Sequence, residues 1–231
     1  MDQSINLVKK PSPKAAVLAL PFRTLGEEIA NAILHGLGAL LAVAGLVLLL
    51  LRGTGRLGVA AAGAKTVTAY IIFTAAMFCM FLISALYHAI QHAGAKRIFR
   101  ILDHSAIYLF IAGSYTPFCL VGLQGAWGWG IFGAEWALTA AGISLHATNN
   151  RLLKKFELVV YILMGWAIVI AMVPLIMSIS RLSIILLAAG GMAYTLGALF
   201  YRKHETRGAH VTWHVFVLAG AICHWLSVWW L

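Results

Sequence analysis

Seven stretches of mainly apolar residues, joined by short connections, dominate this sequence. Each is close to the ~20 residues a helix needs to cross the hydrocarbon core of a bilayer. They run over residues 29–51, 67–92, 100–122, 127–146, 156–177, 182–201 and 210–230. Lipid offers no partner to backbone N–H and C=O groups, so each stretch must satisfy its own hydrogen bonds as a helix. The expected fold class is therefore all-α, a polytopic membrane protein built as a seven-transmembrane-helix bundle. A tail over residues 1–26 precedes a single membrane domain over residues 27–231. Composition agrees: 62% of the 231 residues are apolar and 10% charged, where a soluble domain carries about 25% charged. Soluble enzymes, coiled coils and disordered regulators are excluded.

The net charge of +10, from 17 basic against 7 acidic residues, would suggest nucleic acid in a soluble chain. Here the basic residues lie between apolar spans, where they set topology and meet anionic headgroups. No nucleic-acid partner is expected. One face collects Lys9, Lys10, Lys14, Arg23, Lys96, Arg97, Arg100, Arg151, Lys154, Lys155, Arg202, Lys203 and Arg207. The other has only Arg52, Arg56, Lys65 and Arg181. Thirteen against four puts the N-terminus in the cytoplasm, and seven crossings put the C-terminus outside. This is the inverse of a G-protein-coupled receptor. The opening MDQSINLVKKPSPK, with AAVLAL after it, has a weak signal-peptide look. Pro21 and Arg23 interrupt that run and no small-residue cleavage site follows, so it reads as a retained cytoplasmic tail. Cys79, Cys119 and Cys223 show no paired spacing, and no disulfide framework follows. Pro117 and Pro174 fall near the far ends of their spans, where a kink or an early ending is tolerated.

Ionisable groups inside spans are costly, and each is a functional candidate. They are His35, Ser84 with His88, Asp103 with His104, Glu135, His146, His210 with His214, and His224. Topology sorts them. The second span ends at the cytoplasm with Ser84 and His88, the third begins there with Asp103, and the seventh begins there with His210 and His214. Residues four apart share a helix face, so Ser84 lies one turn from His88 and His210 one turn from His214. A His pair at that spacing can close on one metal, and a third His from the second span completes a three-ligand site. Three protein ligands with a fourth position open is the arrangement of catalytic zinc. A carboxylate at the same depth can accept a hydrogen bond from the water, or take its proton. Taken singly, each histidine also reads as a packing or helix-end residue, and both readings stand at this point.

The stretches EEIANAILHGLG, SALYH, LDHSAIYLFIAGSYTPF, MGW, GGMAYTLGALFY and HVTWHVFVLAGAICH occur in that order between residues 27 and 224. In these the sequence resembles the hemolysin III family of bacterial inner-membrane proteins, within the larger group containing the progestin and adiponectin receptors. It looks most similar to the proteobacterial members. The resemblance implies a Zn²⁺ ion held near the cytoplasmic face by His88, His210 and His214. It also implies that Asp103 contacts the zinc-bound water, and that Ser84 corresponds to the family's serine one turn above the first ligand. His35, His104, His146, His204 and His224 do not map onto the ligand set, and Glu135 matches no part of the pattern.

The leading functional expectation from this resemblance is an intramembrane zinc hydrolase of a lipid amide or ester, with ceramidase-like chemistry and a role in membrane-lipid homeostasis. Asp103 would orient or deprotonate water, Ser84 would donate to the developing oxyanion, and a membrane lipid would be the partner. The alternative is a non-enzymatic sensor of membrane state with zinc as a staple. A pore is the third reading, and against it the polar residues gather at one end with no continuous polar stripe.

Overall fold

Thr24 opens the first helix. Its hydroxyl accepts from the Glu27 N–H at 3.3 Å, while the Glu27 carboxylate accepts from the Thr24 N–H at 2.9 Å. This capping box satisfies two backbone donors that a helix start otherwise leaves unpaired. The computed structural model of the chain describes residues 23–123, 125–148, 151–203 and 206–231. Most of the expected tail, residues 1–22, lies outside the described residues, and the first helix begins at Leu25.

Helix α1 spans Leu25–Gly53, α2 Ala64–Ala89 and α3 Ala93–Pro117. Helix α4 spans Gly125–Ala147, α5 Arg151–Trp166 and the short α6 Met172–Ser178. Helices α7 (Arg181–Tyr201) and α8 (Ala209–Trp229) complete the bundle. Six helical runs are long and apolar enough to cross a membrane: α1, α2, α3 extended to Leu123, Phe156–Ser178, α7 and α8. Helix α4, although 23 residues long, is not among them. Its run GAWGWGIFGAEW replaces aliphatic side chains with Gly and Trp and includes Glu135, which lowers its hydropathy below that of its neighbours.

Both prolines disturb their helices. Helix α3 ends at Pro117 and continues as a π turn over Phe118–Leu123. Between α5 and α6 the chain narrows to a 3-10 turn over Ala167–Ala171, just before Pro174. Pro174 has no N–H to donate back into this turn. Tyr115 of α3 repairs the break from outside. Its hydroxyl accepts from the Ile168 N–H at 2.9 Å and donates to the Met164 carbonyl at 2.7 Å. Broken helices at membrane depth persist where a neighbour satisfies the freed groups in this way.

Helix α1 packs against α2 and α8, α2 against α3, α3 against α4, and α7 against α8. Phe73, Met77, Phe81, Phe110, Phe118 and Leu175 form the apolar centre between them. Close approach rests on small residues. A Cβ added at Gly38 would stand 2.6 Å from the Phe81 ring, so only glycine lets α1 lie this near α2. The outer faces carry exposed Ile29, Ile33, Leu37 and Leu40, as an element facing lipid rather than water should.

One end of the bundle is stitched by polar contacts. Glu27 Oε1 accepts from the Gly208 N–H at 2.6 Å, joining the start of α1 to the start of α8. Gly208 holds φ +77° there, a left-handed conformation that glycine adopts without strain. Arg23 Nη1 donates to the Tyr87 hydroxyl at 3.4 Å, joining the same region to the end of α2. The expected site residues lie at this end.

Candidate metal centre

Helix α2 delivers His88 in its last turn, and α8 delivers His210 and His214 in its first two turns. Each of the three offers a ring nitrogen, and these atoms all lie within 4.8 Å of one another. The Nε2 atoms of His210 and His214 are 2.8 Å apart. His88 is fully buried, and its Nε2 has no hydrogen-bond partner among the described residues. His214 is 2% exposed and His210 8%. The expected coincidence of depth is thus a direct convergence of three imidazoles.

The far sides of two rings are anchored. His88 Nδ1 lies 2.8 Å from Glu28 Oε2, and His214 Nδ1 contacts His35 Nε2. An imidazole that gives its Nδ1 proton to a carboxylate is fixed in the tautomer whose Nε2 lone pair faces the opposite way. The buried, unpartnered Nε2 of His88 carries that lone pair, on a ring whose centroid lies 5.3 Å from that of His210 and 4.9 Å from that of His214. The residues fit a divalent ion bound through three nitrogens, a donor set suited to zinc. Glu28 is itself paired with Lys96, whose Nζ is 3.0 Å away and lies 5.3 Å over the Tyr87 ring. That cation offsets the cost of holding the carboxylate inside the bundle.

Glu28 and Lys96 are the residues that the sequence reading missed. His35, which does not map onto the ligand set, lies outside the three-histidine group but stands against His214 and packs edge-on to Phe81 at 5.1 Å between ring centroids. The signal was present. Glu28, Asn31 and His35 recur at i, i+3 and i+7, which is one helical face. All three are buried, whereas Ile29, Ile33 and Leu37 of the same helix are exposed.

Ser84 is buried one turn before His88. Asp103 is half-buried and makes no hydrogen bond to the three histidines among the described residues. It lies near enough for its charge to act on the Tyr87 and Tyr201 hydroxyls. Those rings flank the cluster, Tyr87 at 4.7 Å from His88 and Tyr201 at 6.4 Å from His210. His104 and His146 meet Glu157 in a separate group between α3, α4 and α5. His224 packs edge-on to Tyr194 at 5.2 Å, and Glu135 is buried with its Oε2 unpartnered among the described residues. His204 falls outside the described residues.

An apolar cavity of about 100 Å³ has Met80, Phe110, Tyr161, Trp213, Val217 and His224 in its wall, and none of the three clustered histidines lines it. Met80 is one turn from Ser84, and Trp213 and Val217 bracket His214 along α8.

A helical bundle with six runs long and apolar enough to cross a membrane, and a buried histidine cluster able to hold a metal, defines a class of multi-pass membrane protein. Within that class the chain belongs to the haemolysin-III related family, whose profile matches residues 23–225 and so includes every helix from α1 to most of α8. It is 41% identical to hemolysin-3 of Bacillus cereus over 195 residues, which cover 84% of this chain and 87% of that one. A hemolysin-3 homolog of Bacillus subtilis is 38% identical over 205 residues, covering 89% and 94%. The human monocyte to macrophage differentiation factor is 26% identical over 173 residues, covering 71% and 70%.

Proposed function

We propose that this chain is an intramembrane zinc-dependent hydrolase acting on an amide or ester bond of a membrane lipid, with a role in membrane-lipid homeostasis. The observation that carries this reading is the convergence of His88, His210 and His214, with the buried His88 Nε2 lacking any partner among the described residues. Zinc bound by three histidines supplies an acidified water and a Lewis acid for a carbonyl. The chain's own residues supply the rest. Glu28 and His35 hold the ligand rings in register, and the cavity wall takes up an acyl chain. The Asp103 carboxylate accepts a proton from the attacking water, and the Ser84 hydroxyl donates a hydrogen bond to the oxyanion as it develops.

The orientation in this reading is a cytoplasmic N-terminus and an external C-terminus, with seven crossings of a bacterial inner membrane. The site then lies at the cytoplasmic face, a shallow depth that suits a bond at the junction of a lipid's headgroup and its chains.

The test is elemental analysis of purified protein never exposed to chelator, paired with lipidomics of wild-type and His210→Ala strains. One zinc per chain and an accumulated amide- or ester-linked lipid in the variant are expected. Absence of stoichiometric metal removes the proposal. Zinc without any lipid change favours a non-enzymatic regulator that uses the ion as a staple.

A further inference from the structure

Outside that centre, His104 of α3, His146 of α4 and Glu157 of α5 meet at one point. Glu157 faces both histidines at once: its Oε2 lies 3.0 Å from His104 Nδ1, and its Oε1 lies 2.7 Å from His146 Nδ1. The two imidazoles are nearly parallel, 17° apart with centroids separated by 5.1 Å. Their side chains are 17% and 5% exposed, and that of Glu157 is 8% exposed. The Tyr161 hydroxyl lies 2.8 Å from Glu157 Oε1 and from the His104 carbonyl, so it orients both the carboxylate and the turn of α3 that carries His104.

We propose that His104, His146 and Glu157 form a second binding site, for a divalent first-row transition-metal ion. Two imidazole nitrogens and one carboxylate oxygen are a donor set that such ions accept with positions left open. Metal–ligand bonds of ~2.0–2.2 Å in a tetrahedral arrangement place donor atoms roughly 3.3 Å apart. The three donors lie within 4.8 Å of one another, so side-chain rotation alone closes the site. Charge points the same way. The ion pairs of Glu157 among the described residues are with the two histidines, and neutral imidazoles leave a buried carboxylate uncompensated. A divalent cation supplies the missing charge without protonating either ring. The ion would also tie α4 and α5 to α3 at a single point. The proposal stands independently of the His88–His210–His214 centre.

The test is Co²⁺ titration of the full-length protein in lipid nanodiscs, following d–d absorption and bound metal per chain. The chains compared are wild type, His210→Ala, Glu157→Gln and His146→Gln. Two Co²⁺ per wild-type chain are expected, one in each single variant, and none when His210→Ala is combined with Glu157→Gln. A wild-type count that neither Glu157→Gln nor His146→Gln lowers overturns the proposal, and so does a monodisperse His210→Ala chain that binds no Co²⁺. A wild-type count of one that survives His210→Ala and disappears in Glu157→Gln upholds this site and removes the other. Should the variants fail to fold, the wild-type count decides: two ions support the site, and a count of zero overturns it.

Discussion

Asp103 and Glu28 are two carboxylates at the end of the bundle that carries the histidine cluster, and their surroundings assign them different work. Glu28 is locked between His88 and Lys96; Asp103 is half-buried and makes no hydrogen bond to the three histidines among the described residues. Asp103→Asn keeps shape and removes basicity, so metal content and melting temperature should stay near wild type. Hydrolytic turnover should fall by roughly the 10²–10⁴-fold typical of a lost general base. Zinc loss with destabilisation in that variant would mean that Asp103 is a ligand and the ion a staple. Glu28→Gln should do the opposite. It weakens the hold on the His88 ring, and metal affinity should drop by roughly 10–100-fold in a chelator competition. The helices should remain intact by circular dichroism.

At the scale of the elements, the broken span between α5 and α6 depends on a side chain from another helix. Tyr115→Phe removes the hydroxyl that caps the Ile168 N–H and meets the Met164 carbonyl. It leaves buried backbone groups unpaired, and should cost ~1–3 kcal/mol in a denaturant titration. A melting curve identical to wild type would show that the 3-10 turn satisfies itself. Most elements were legible from length and hydropathy: α1, α2, α4, α7 and α8 stand within a few residues of the expected spans, α3 begins earlier, at Ala93 against the expected residue 100, and both prolines sit at helix disturbances. Helix α4 is the exception in kind. It is helical as expected, but its Gly and Trp content and Glu135 deny it the hydropathy of a membrane-crossing run.

That exception sets a test for the whole molecule. If α4 crosses the membrane along with the six apolar runs, the termini lie on opposite sides, and the thirteen-to-four split of Lys and Arg puts the N-terminus in the cytoplasm. If it does not, both termini share one side. Reporter fusions at each end, active in only one compartment, decide between the two. An N-terminal reporter active inside and a C-terminal one active outside are expected.

The sequence by itself determined the all-helical membrane class, the positions of most helices and the depth of His88, His210 and His214. Those properties follow from local quantities: the length of an apolar run, the spacing of polar residues along one helix and the side on which basic residues accumulate. Only the tertiary structure decided which polar residues from different helices touch. His35 joins His214, Glu28 joins His88 and Lys96, and Glu157 gathers His104 and His146. Within a lipid-embedded bundle such partners are set by helix rotation and by close approaches such as that of Phe81 to Gly38. Spacing along one helix fixes a face, and packing against the others chooses what that face meets.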